Sequence, residues 1–135
     1  MKKSVTILTI TFLLFAYYAC NSERKDYNMA KQANTLNALK EFATNYPNSV
    51  YIDSAKGVID KLIWDTIVQK NNMKDYETFI LVHPNSSFID SAKGIVDKLL
   101  WLEVKSLNTI SDYETFVEDY PESKFVDSAK LMIGK

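Results

Sequence analysis

The sequence is poor in the residues that most chemistry needs. Of its 135 residues one is a cysteine and one a histidine. The lone Cys20 excludes an intramolecular disulfide, so the fold must hold by packing. With His83 as the single imidazole and no second thiol, a transition-metal cluster is hard to assemble, and neither metal nor cofactor is expected. No GxGxxG, P-loop, HExxH or GxSxG sequence is present, which leaves no phosphate cradle, zinc helix or nucleophile elbow. The formal net charge is −1, so there is no basic field for nucleic acid and no basic amphipathic stretch for a membrane surface. The chain is expected not to be an enzyme.

The N-terminus reads as a targeting segment. "MKK" is a positive n-region, and the apolar run from Val5 to Tyr18 has 14 residues, where a spanning helix wants about 20. It ends beside Cys20 and the polar "NSERK". Without Lys2 and Lys3 the rest carries 14 basic and 17 acidic side chains, net −3. Ala19–Cys20 resembles the lipobox of bacterial lipoproteins, in which the cysteine takes a diacylglycerol thioether and becomes the N-terminus. Tyr17 departs from that pattern, which has an aliphatic residue there. The resemblance implies a signal peptide over 1–19 and a lipidated linker over 20–26. An uncleaved anchor and an ordinary secretory signal are the alternative readings of the same residues.

What the chain does contain is repetition. Pro47, Pro84 and Pro121 are 37 residues apart and are all the prolines present. Phe42, Phe79 and Phe116 keep the same step, as do Asp53, Asp90 and Asp127, and Trp64 and Trp101 with Tyr27 in register before them. A fixed period of this size marks a stacked-repeat architecture, here over 27–63, 64–100 and 101–135. Within a copy, Tyr113, Phe116, Val117 and Tyr120 lie on one face of a helix. Thr109 with Asp112, and Asn72 with Asp75, read as its caps, and the proline as its stop. Ser49, Ser86 and Ser123 are expected to cap a second, long helix, from about Ser87 to Leu107 in the middle copy. Its expected stripe is Phe88, Ala92, Ile95, Leu99 and Leu102, widened by Ile89, Val96, Leu100 and Leu107. Asn108 and Thr109 make a tight turn to the next short helix. The expectation is an all-α protein of three α-α hairpins, none able to bury its own face alone.

"YETFVEDYPESKFVDSAKLMI", Tyr113 to Ile133, resembles tetratricopeptide-type repeats, in particular those of outer-membrane assembly and Tol–Pal-associated lipoproteins. The likeness covers Tyr27 to Lys135 and departs from the standard repeat in its longer period and in lacking the usual glycine between helix partners. It implies a tetratricopeptide-like solenoid serving as a non-catalytic interaction scaffold, in some cases within cell-envelope complexes. Together with the lipobox it implies an exported bacterial lipoprotein, held through Cys20 at the outer membrane or periplasmic face and binding another envelope protein.

Candidate binding residues are the departures from the period. Leu81 and Val82 are apolar where the other copies are polar, and Leu102 replaces Asn28 and Asp65. Such substitutions suggest a surface to be covered. Val126, Met132 and Ile133 are expected to lack the cover of a polar terminal helix, which would invite a partner or a homo-oligomer pairing through this last repeat. Gly57 and Gly94 each precede a tryptophan, Trp64 or Trp101, by seven residues on one helix face. They mark either a niche where another helix or that ring approaches the backbone, or the floor of a groove with an aromatic wall for a peptide or small ligand. Leu131 takes the glycine's place in the last copy. His83 stands in register with Tyr46 and Tyr120 and is expected to stack as a ring beside Pro84. The pairs Asp53/Asp60 and Asp90/Asp97 read as solvated helix faces rather than acid–base pairs.

Overall fold

The computed structural model describes residues 22–134, which are helical throughout apart from short turns, with no strand among them. Cys20 and the apolar N-terminal run lie outside the described residues. The elements are α1 (22–33), α2 (Leu36–Asn45), α3 (Ile52–Lys70), α4 (Met73–Val82), α5 (Ile89–Leu107), α6 (Ile110–Asp119) and α7 (Val126–Ile133). Two compact units divide inside α3, between Ile63 and Trp64.

Two kinds of turn join the helices, and each follows from its residues. Asn34, Asn71 and Asn108 have φ of 49°, 47° and 52°. Asparagine tolerates this left-handed conformation, so one residue suffices to end one helix and admit the next. Asn108 N–H donates to Val104 O at 3.0 Å, and its side-chain Oδ1 accepts the Tyr113 hydroxyl at 2.8 Å. The next residue caps: Thr35 Oγ1 accepts from Ala38 N–H at 3.3 Å, and Thr109 Oγ1 from Asp112 N–H at 3.2 Å. Each such cap stabilises its helix by about 1 kcal/mol. Asn72 differs, accepting from Lys74 N–H at 2.9 Å. Asp112 does not close a full capping box either, because its carboxylate accepts from the Thr109 hydroxyl at 2.6 Å.

The proline-containing linkers correct an expectation. The long helices begin at Ile52, Ile89 and Val126, three residues after the serines. Each serine instead closes a turn ahead of the helix, with Oγ accepting from Tyr51 N–H at 3.0 Å, Phe88 N–H at 3.3 Å and Phe125 N–H at 3.1 Å. Phe88 and Phe125 hold the N-cap positions without a side-chain cap bond. A second turn intervenes because the proline ends the short helix and Ser49, Ser86 and Ser123 N–H return to the carbonyls of Tyr46, His83 and Tyr120.

Unit 1 packs α1 and α2 against the part of α3 before Trp64. Tyr27, Ala30, Leu39, Phe42, Ala55 and Ile59 form its core. Tyr27 stacks on Tyr51 at 4.7 Å and tilts against Phe42 at 5.4 Å, and Phe42 meets Tyr46 at 5.2 Å. Removing the Leu39 and Phe42 side chains from water contributes roughly 1.5–3 kcal/mol each.

In unit 2, α5 packs against both α4 and α6, and α6 against α7. Trp64 stacks on Phe88 at 5.2 Å and lies 5.8 Å from both Tyr76 and Phe79. Trp101 stacks on Phe125 at 5.4 Å and meets Tyr113 and Phe116 at 5.9 and 5.7 Å. Phe42, Phe79 and Phe116 are all buried, and Ala55, Ala92 and Ala129 have no exposed surface, as small residues at close helix crossings should. Leu102 and Leu107 are exposed, so the buried stripe of α5 runs from Ala92 to Trp101 and Val104 instead. The cause is that the latter half of α5 serves α6, whose Tyr113 and Phe116 receive the Trp101 ring.

Candidate functional site

Unit 2 carries most of the residues that sequence reasoning singled out. On α4 the buried face is Tyr76 and Phe79, one turn apart. Leu81, two positions past Phe79, falls on the opposite side of the helix, and Leu81 is 81% and Val82 60% exposed. Leu102, on α5, is 49% exposed. Three aliphatic side chains stand in water where the in-register residues are polar, on two helices of one unit.

Met132 and Ile133 are placed differently. Both are half-buried and pack against the core of Trp101, Tyr113, Phe116 and Ala129. They complete the hairpin of α6 and α7 rather than forming an open apolar end. The exposed aliphatic residue of α7 is Leu131.

The glycine niche is also corrected. A Cβ built on Gly57 or Gly94 meets no atom within 4 Å, so no helix or ring approaches either backbone closely. Trp64 and Trp101 are committed to their stacking partners, and Trp101 is buried, so the tryptophans do not wall a groove beside the glycines. Gly94 nevertheless borders a cleft of about 560 Å³ between α5 and the linker from α6 to α7. Ile80, Val96, Leu100 and Gly94 line it with Tyr120 as its aromatic wall, and Asp97, Asp119, Glu122, Lys93 and Lys124 ring its rim.

Sequence reasoning missed Asp97 as a cleft residue because α5 alone gives it the phase of Asp90. Asp90 is exposed and Asp97 half-buried, since only Asp97 faces that linker. The available signal was the neighbouring Gly94.

Unit 1 closes its linker differently. The Tyr46 hydroxyl donates to Asp26 Oδ2 at 2.5 Å, and the Ser49 hydroxyl donates to Glu23 Oε1. The carboxylate of Asp26 holds the Tyr46 proton and raises its pKa above the ordinary 10.0, with burial adding to the shift. In unit 2, burial alone raises the Tyr76 phenol.

His83 stacks on Phe79 at 5.0 Å, as Tyr120 lies against Phe116 at 5.5 Å, so its ring serves packing. Among the described residues no group of three or more His, Cys, Asp or Glu is placed to hold a metal ion. No helix among them is long and apolar enough to cross a membrane. No protein-family model matches the chain, and neither a curated protein nor a solved structure does.

Proposed function

We propose that the chain is a non-catalytic protein–protein interaction scaffold, built as an array of three tetratricopeptide-like hairpins over 27–63, 64–100 and 101–135. The repeat reading is supported by ring contacts 37 residues apart: Tyr27–Tyr51, Trp64–Phe88 and Trp101–Phe125 all stack within 10° of parallel. The scaffold reading is carried by the exposed Leu81 and Val82, apolar residues at positions the repeat otherwise keeps polar. Cys20 is the proposed lipid attachment point, which makes the protein a cell-envelope lipoprotein and its partner another envelope protein.

Leu81→Asp combined with Val82→Asn should leave the helical circular dichroism unchanged and abolish partner capture in a quantitative pull-down from envelope fractions. Undiminished capture by the double variant would contradict this surface. Cys20→Ser should abolish incorporation of labelled fatty acid, and label retained by the variant would remove the lipoprotein reading.

A further inference from the structure

The cleft beside Gly94 has a shape and charge that intramolecular packing does not use. A glycine inside α5 weakens the helix relative to alanine, and the space a Cβ would fill is empty. Nothing within unit 2 therefore requires the bare backbone at this point. The cleft volume, about 560 Å³, falls within the range of roughly 300–1,000 Å³ typical of ligand sites. Its floor is apolar, from Ile80, Val96 and Leu100.

The rim favours a cation. Three carboxylates, Asp97, Asp119 and Glu122, line it with two ammonium groups, Lys93 and Lys124, and the Lys124 ammonium already lies 5.0 Å from the centre of the Phe125 ring. The C-terminal end of α6, at Asp119 and Tyr120, adds the partial negative charge of its helix dipole. Asp97 is half-buried, and among the described residues no hydrogen bond or ion pair engages it. A partly desolvated carboxylate without a partner gains more from an incoming cation than a hydrated one does.

Unit 1 shows what the same positions do when they are satisfied internally. There Glu23 and Asp26 receive the hydroxyls of Ser49 and Tyr46. Two 37-residue steps on, those four places are Asp97, Leu100, Ser123 and Tyr120. Leu100 cannot accept from Tyr120, and Ser123 Oγ, which accepts from Phe125 N–H at 3.1 Å as Ser49 Oγ does from Tyr51 N–H, makes no bond to Asp97.

We propose that this cleft docks a segment of the protein partner in which an aliphatic side chain lies beside a lysine or arginine. The aliphatic group enters between Gly94, Leu100 and Tyr120, and the cation pairs with Asp97. This inference rests on the scaffold reading and names the chemistry of the segment recognised.

The probe is a displayed library of random peptides of about twelve residues, selected against the full chain in nonionic detergent micelles. Selected peptides should place Leu, Ile or Val beside Lys or Arg. Their affinity should fall more than about tenfold in Gly94→Leu, which fills the cleft, and about tenfold in Asp97→Asn, the loss expected of a charge-assisted contact. Both variants should keep wild-type circular dichroism. Selected peptides without a basic residue would overturn the proposal, as would unchanged binding to Asp97→Asn. Peptides that depend on Leu81 and Val82 but not on Gly94 would overturn the cleft and leave the scaffold reading standing. Failure to select any peptide would overturn the cleft, with the envelope pull-down deciding the scaffold reading separately.

Discussion

Units 1 and 2 solve one packing problem with different finishing. Each sets a short helix ending in an aromatic cap against a following helix bearing a buried alanine. Unit 1 secures the linker after α2 with two hydroxyl–carboxylate bonds, Tyr46 to Asp26 and Ser49 to Glu23. Unit 2 places Tyr120 and Ser123 beside Leu100 and Asp97 without such a clasp, and a cleft opens there. The aromatic core therefore sets the hairpin, and polar residues around the linker decide whether its edge is closed or available.

The largest effects are expected in the core. Phe42→Ala and Phe116→Ala should each cost about 3–5 kcal/mol in denaturant unfolding of the full chain, because both rings are buried among aromatic neighbours. Strongly unequal costs would mean the two sites are not equivalent. Thr109→Ala should cost about 1 kcal/mol through the lost cap on α6. Gly57→Ala and Gly94→Ala should each stabilise the protein by up to about 1 kcal/mol, since the added methyl meets open space in a helix. Destabilisation by either would reveal a backbone contact absent from the structure.

The hydroxyl clasp gives the finest distinction. Tyr46→Phe should lower the stability of unit 1, whereas Tyr120→Phe should leave that of unit 2 unchanged, as monitored by hydrogen exchange. The Tyr46 pKa is raised in the folded state, so the clasp contributes fully below the ordinary tyrosine value of 10.0 and is lost as pH rises through the higher folded value. Wild-type stability should therefore fall above about pH 10, and Tyr46→Phe should show a smaller fall. Equal slopes would contradict the bond to Asp26. Tyr76, raised by burial, contributes in the same direction in both proteins and cancels from the difference.

The helical class was legible because periodicity and punctuation agree. Phe79 and Phe116 fall where an i, i+3, i+4 pattern places a buried face, and Asn108 ends a long helix by adopting a left-handed conformation that few other residues tolerate. The serine turns are not legible in the sequence because a side chain that accepts a backbone N–H serves a turn as readily as a helix N-cap. Leu102 reads as part of the buried stripe because a single helix does not reveal that a second neighbour, α6, draws Trp101 and Val104 inward. Met132 and Ile133 read as open for the same reason, since their partners Trp101 and Phe116 are distant in sequence. The cleft was legible only as an odd glycine, because its far wall comes from a linker about thirty residues away.

Aromatic rings meet in the same way at each 37-residue step. Nuclear Overhauser spectroscopy of the full chain with selectively labelled aromatic residues tests this most directly. It should give ring-to-ring cross-peaks for Tyr27–Tyr51, Trp64–Phe88 and Trp101–Phe125, each with upfield shifts from stacking at about 5 Å. Cross-peaks for one pair without the others, or strand-like backbone shifts around them, would contradict it.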